Sequence, residues 1–70
     1  MPDPLPPKTF GHELRRRRQS MQITQTALAK RVGLSRQNMN NIENGRNWPA
    51  LPIYFGLCRE LGMTPPPFAP

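Results

Sequence analysis

The sequence predicts a compact all-α domain of four short helices, or at most five, held between two proline-rich tails. Apolar residues recur at helical spacing, whereas alternating apolar and polar runs of useful length are absent. Capping residues and glycines punctuate the chain at the intervals short helices need. Eight of the ten prolines fall within residues 1–7 and 65–70. Proline fixes φ and removes a backbone donor, so residues 1–8 and 65–70 read as extended or disordered tails. Residues 9–64 are then the folded unit. A chain of 70 residues has one core, and an economical one.

Each element has its own signature. Thr9 is a candidate cap for a first helix over about 10–21, where Phe10, Leu14 and Met21 (with Arg17 or Arg18 between) share a face. Thr24 caps a second helix, about 25–32, with Leu28, Ala29 and Val32 inward and Gly33 at its end. Ser35 caps a third helix running to about Asn44, and Gly45 stops it. Met39 and Ile42 are its only aliphatic residues, three apart on one face. The other face carries Arg36, Gln37, Asn40, Asn41 and Asn44. A fourth helix starts near 49–51, tolerates Pro52 in its first turn, and runs to Leu61 with Gly62 beyond it. Its apolar stripe is Leu51, Tyr54, Leu57, Cys58 and Leu61. Pro65, Pro66 and Pro67 oppose further helix.

Composition narrows the chemistry. Ten Lys and Arg against four Asp and Glu give +6. Lys8 and the four arginines Arg15, Arg16, Arg17 and Arg18 outweigh Asp3 and Glu13. Lys30, Arg31, Arg36 and Arg46 outweigh Glu43, while Arg59 and Glu60 cancel. A basic N-terminal two-thirds beside a neutral third suggests a polyanion-facing side and a structural side. Charge alone fits nucleic acid, an anionic membrane or an acidic protein. One cysteine, Cys58, and one histidine, His12, offer no internal disulfide and no zinc constellation, so neither a metal nor another cofactor is expected. Scattered acids without a nucleophile–base pair or a phosphate-cradling glycine loop argue against an enzyme. No apolar run reaches the roughly 20 residues that cross a bilayer. Residues 1–7 lack the cationic start and apolar stretch of a signal peptide, so a soluble, intracellular chain is expected.

The most specific signal joins Gln25, Ala29, Gly33 and Ser35 to Met39 and Ile42. Ala29 is small where the second helix packs over the third, and Gly33 permits the tight turn between them. Met39 and Ile42 anchor the third helix, so its polar face projects outward with the residue types that read base edges. With the run Ile42, Glu43, Asn44 and Gly45, these residues resemble the phage-repressor and Cro (Xre-type) family of helix-turn-helix proteins. The resemblance spans residues 10–63, including Leu61, Gly62 and Met63 at the end of the fourth helix. It implies sequence-specific binding of double-stranded DNA, most often by a cytoplasmic, nucleoid-associated repressor that engages a palindromic operator as a homodimer. The family's usual fifth helix is replaced by residues 64–70.

The resemblance also implies roles. Arg36, Gln37 and Asn41 match base-contacting positions, with Asn40 on the same side; Arg fits guanine, and Gln or Asn fits adenine. Gln25 matches a phosphate-contacting position at a helix start, and Asn44, Arg46 and Asn47 grip the adjacent backbone. Arg18 and Glu43 match a pair joining the first and third helices. Of the remaining arginines in that run, all are a solvated helix face, or one or two touch phosphate. Trp48 reads as packing over a loop, Phe55 as spare core or a dimer contact, and His12 as exposed. Cys58 reads as an inert core thiol, and Lys30 and Arg31 as solubilising. The competing function is an antitoxin-type module that binds a toxin and also represses its own operon.

Overall fold

The computed structural model describes residues 7–63. These form four helices joined by short turns: α1 (Pro7–Ser20), α2 (Gln25–Val32), α3 (Arg36–Glu43) and α4 (Leu51–Leu61). No strand occurs among the described residues. Residues 1–6 and 64–70, which hold most of both expected tails, lie outside the described range.

The first helix departs most from the sequence expectation. It begins at Pro7 rather than Phe10, so Lys8 joins the helix instead of the tail and Thr9 lies inside the first turn instead of capping it. Pro7 suits that start, because a first-turn residue has no intrahelical use for its missing N–H. At the other end α1 stops at Ser20, and Gln22 takes a left-handed φ of 57°. The Ile23 N–H then returns to the Arg18 carbonyl at 3.1 Å, closing the helix. Ile23 packs against the core, while Met21, expected on the buried face, is 48% exposed.

The other three helices obey their punctuation. The hydroxyl of Thr24 accepts from the Ala27 N–H, and that of Ser35 from the Asn38 N–H. Gly33, at φ 79°, and Gly62, at φ 65°, end α2 and α4 in the left-handed region. Leu51 is the exception in α4. It opens the helix ahead of the turn that meets the core and is 56% exposed, so the buried stripe contracts to Tyr54, Leu57, Cys58 and Leu61.

Phe10, Leu14, Leu28, Ala29, Met39, Ile42 and that stripe make one core. Phe10 stacks on Tyr54 at 5.0 Å and on Trp48 at 5.2 Å, so Trp48 closes the core under the α3–α4 loop. Each such aromatic pair contributes about 0.5–1.5 kcal/mol beyond burial. Helix α3 packs against both α1 and α2, and α4 packs against the same two helices. Among the described residues, no helix covers the outward side of α3. No described helix is long and apolar enough to cross a membrane.

Candidate nucleic-acid interface

Helix α3 is fastened from below. Met39 is fully buried and Ile42 nearly so, and both face α1 and α2. Gly11 brings α1 against the end of α3, since a Cβ at this position would collide with the carbonyl oxygens of Ile42 and Glu43. Gly45, at φ 74°, turns the chain out of α3, and a Cβ there would lie 2.6 Å from Cα of Lys8. Both glycines let backbone approach backbone, and both set where α3 sits.

Glu43 lies at the centre of a buried polar cluster. Its side chain has no solvent exposure. Arg18 Nε donates to Oε2 at 2.6 Å and Arg18 Nη2 to Oε1 at 3.1 Å. Gln25 Nε2 donates to Oε1 at 3.0 Å, and Arg15 Nε reaches the same oxygen at 3.4 Å. Arg18 Nη1 meanwhile donates to the Ile23 carbonyl at 2.8 Å. A forked guanidinium against a carboxylate fixes orientation as well as charge. The cluster therefore ties α1, α2 and α3 through one anion.

The four consecutive arginines divide by their direction around α1. Arg15 and Arg18, three apart, reach Glu43, and Arg15 Nη2 also donates to Asn44 Oδ1 at 2.9 Å. Arg16 and Arg17 both turn to Glu13 on the exposed side, and their hydrogen bonds hold its carboxyl below the usual carboxylate range. The Arg15 contact with α3 is not among the pairs expected from the sequence. The spacing of Arg15 from Arg18 was the available signal, because residues three apart on a helix share a face.

The remaining polar residues cover the open side of α3. Arg36 and Gln37 are exposed in its first turn, Asn40 and Asn41 are half-buried one turn on, and Asn44, Arg46 and Asn47 are exposed beyond its end. Among the described residues Arg36 has no hydrogen-bond or ion-pair partner, so its whole fork is open. Arg36 also lines two shallow clefts, one shared with Arg18, Thr24, Gln25 and Thr26, the other with Gln37 and Asn40. Asn41 Oδ1 accepts from Arg46 Nη1 at 2.9 Å and from Gln37 Nε2 at 3.4 Å. Asn40 Oδ1 accepts from Asn44 Nδ2 at 3.2 Å and from Gln25 Nε2 at 3.4 Å. The Gln25 amide thus gives both protons to protein acceptors. The backbone N–H groups of Gln25 and Thr26 are the first-turn donors left to an anion, because the Thr24 cap takes that of Ala27.

A small all-helical body that projects guanidinium and amide groups from a short second helix of a tight helix–turn–helix pair defines a helix-turn-helix protein. The chain belongs to that family of transcriptional regulators: the model of the Helix-turn-helix domain matches residues 9–69. An HTH-type transcriptional regulator of Methanothermobacter thermautotrophicus is 39% identical over 49 residues, covering 70% of this chain and 71% of the relative. Among solved structures, the clp gene regulator ClgR from Corynebacterium glutamicum matches with a TM-score of 0.79 at 27% identity, over 90% of this chain and 67% of that one. A second ClgR structure gives 0.80 at 26% identity, over 94% and 85% of the two chains. A chain of a HipA-HipB-O2-O3 complex shares the fold at 0.71 and 23% identity, over 91% of this chain and 90% of that one.

Proposed function

We propose that this regulator binds duplex DNA sequence-specifically and represses transcription by occupying a palindromic operator as a homodimer. One observation carries the reading. An outward face of Arg36, Gln37, Asn40 and Asn41 is held rigidly over a buried Glu43 cluster, with cationic and amide groups at both ends. Arg36, Gln37, Asn41 and Asn40 read base edges. The first-turn amides of Gln25 and Thr26, with Asn44, Arg46 and Asn47, hold the phosphates on either side. The described acids oppose none of this: Glu43 is buried, and Glu13 and Glu60 pair with arginines elsewhere.

A single α3 offers only a few base contacts, each worth about 1–3 kcal/mol of discrimination. Two copies on a two-fold-related site double that discrimination, and this supports the dimeric reading. Selection from a random duplex pool, followed by titration at several salt concentrations, tests it. The expected product is an inverted repeat with half-sites about one helical turn apart. Arg36→Ala should cost about 1–3 kcal/mol and relax one base position, while Arg46→Ala should reduce the salt slope by about one. A pool that yields no enriched site contradicts the proposal.

A further inference from the structure

Amide side chains present either an oxygen or a nitrogen, and which one faces outward follows from what each meets inside. A guanidinium has donors only, so Asn41 must turn Oδ1 toward Arg46. Gln37 Nε2 approaches the same oxygen, so both its lone pairs are engaged. Asn41 is left with Nδ2, a pure donor. The same logic runs from the other end of the face. A buried carboxylate accepts only, so Gln25 must turn Nε2 toward Glu43, and its second proton goes to Asn40 Oδ1. Asn44 Nδ2 occupies that oxygen as well, leaving Asn40 a pure donor too.

The backbone places Arg46 for this role. Gly45 turns left-handed after α3, the Gly45 N–H donates to the Ile42 carbonyl at 3.1 Å, and the Arg46 N–H donates to the Asn41 carbonyl at 3.0 Å. Arg46 is thus tied to Asn41 twice, once through its main chain and once through its side chain.

We propose that Arg46 is a specificity-determining positioning residue, which makes Asn41 a donor-only reader that selects guanine and rejects adenine. Bidentate recognition of adenine needs one acceptor and one donor from the same amide, and Asn41 has no free acceptor. Guanine presents two acceptors, N7 and O6, in the major groove. Gln37 keeps its Oε1 and one N–H, so the adenine pairing falls to Gln37 rather than to Asn41. The inference rests on the DNA-reading function proposed above.

The test is duplex selection with four proteins: the unaltered chain, Arg46→Ala, Asn41→Ala and the double variant. The unaltered chain should enrich a site with guanine at the one position that Asn41→Ala relaxes. Arg46→Ala frees the Asn41 oxygen, so the adenine-to-guanine ratio there should rise by about tenfold, the scale of one bidentate contact. In the Asn41→Ala background the same change should leave that position unaltered. General loss of phosphate grip lowers affinity without moving one base preference. Arg46 is exposed, and an unchanged circular dichroism spectrum confirms that the fold survives. Adenine already preferred at the Asn41-dependent position, a ratio indifferent to Arg46, or no Asn41-dependent position overturns the inference while DNA reading stands. No enriched site with the unaltered chain overturns the functional reading, and this inference with it.

Discussion

At the scale of single residues, Glu43 and Arg18 decide whether the reading helix keeps its place. A buried carboxylate is costly unless its lone pairs are filled, and here two arginines and a glutamine fill them. Arg18→Ala leaves that anion short of its forked partner. Urea denaturation should show a loss of about 3 kcal/mol, the lower end of the range for breaking a buried pair. Arg16→Ala, which removes an exposed, solvent-screened contact to Glu13, should leave the urea midpoint nearly unchanged. Equal losses for the two variants would mean that the Glu43 cluster is no stronger than a surface pair. The cluster also explains why Arg15, Arg16, Arg17 and Arg18 are not interchangeable, since two face an internal anion and two an external one.

At the scale of elements, the junctions carry the information. Thr24 and Ser35 start α2 and α3, Gly33 ends α2, and Asn44 followed by the left-handed Gly45 ends α3, so each short helix is bounded by local chemistry rather than by length. Gly45 works twice, through a left-handed φ of 74° and through the close approach of Lys8. An alanine there is strained in the backbone and collides with α1. Gly45→Ala should therefore destabilise the fold by more than about 1 kcal/mol, measured by thermal or urea melting. Gly33→Ala shares the positive φ but meets nothing within 4 Å, so it should cost less. A Gly33 variant that is the worse of the two would contradict this ranking.

At the scale of the whole molecule, α2, α3 and α4 were legible in the sequence, and so were the side-chain caps of α2 and α3, because apolar spacing and capping residues act locally. The start of α1 was not. Thr9 resembles a cap, and only the structure shows that Pro7 opens the helix. Met21 and Leu51 followed helical periodicity but sit at helix ends, where the chain turns away from the core before periodicity can bury them. In the candidate site the polar face of α3 was readable, whereas Arg15 on Glu43, Gly11 beneath α3 and the direction of each amide were not. Those features depend on how α1 and α2 lie across α3, which no local pattern encodes.

The core also implies a pH dependence. Burial raises the pKa of the Cys58 thiol above its ordinary 9.0 and that of the Tyr54 phenol above 10.0. Both groups hold their protons more tightly folded than unfolded. Their contribution is therefore intact below about pH 9 and is lost as pH rises past the unfolded values. Urea midpoints should be flat from neutral pH to about pH 9 and fall above it, with a shallower decline in Cys58→Ala. A midpoint that climbs above pH 9 would reverse the sign and contradict the assignment.

The proposed DNA binding uses one surface, the outward side of α3 and its flanks. The most direct measurement is an amide chemical-shift map of the chain titrated with its selected duplex. The largest changes should fall on Gln25, Thr26, Arg36, Gln37, Asn40, Asn41, Asn44, Arg46 and Asn47, including the side-chain amides of Asn40 and Asn41. Arg59 and Glu60 on α4 should move little. Changes centred on α4, with Arg36, Gln37 and Asn41 unmoved, would place the DNA on the wrong side of the molecule.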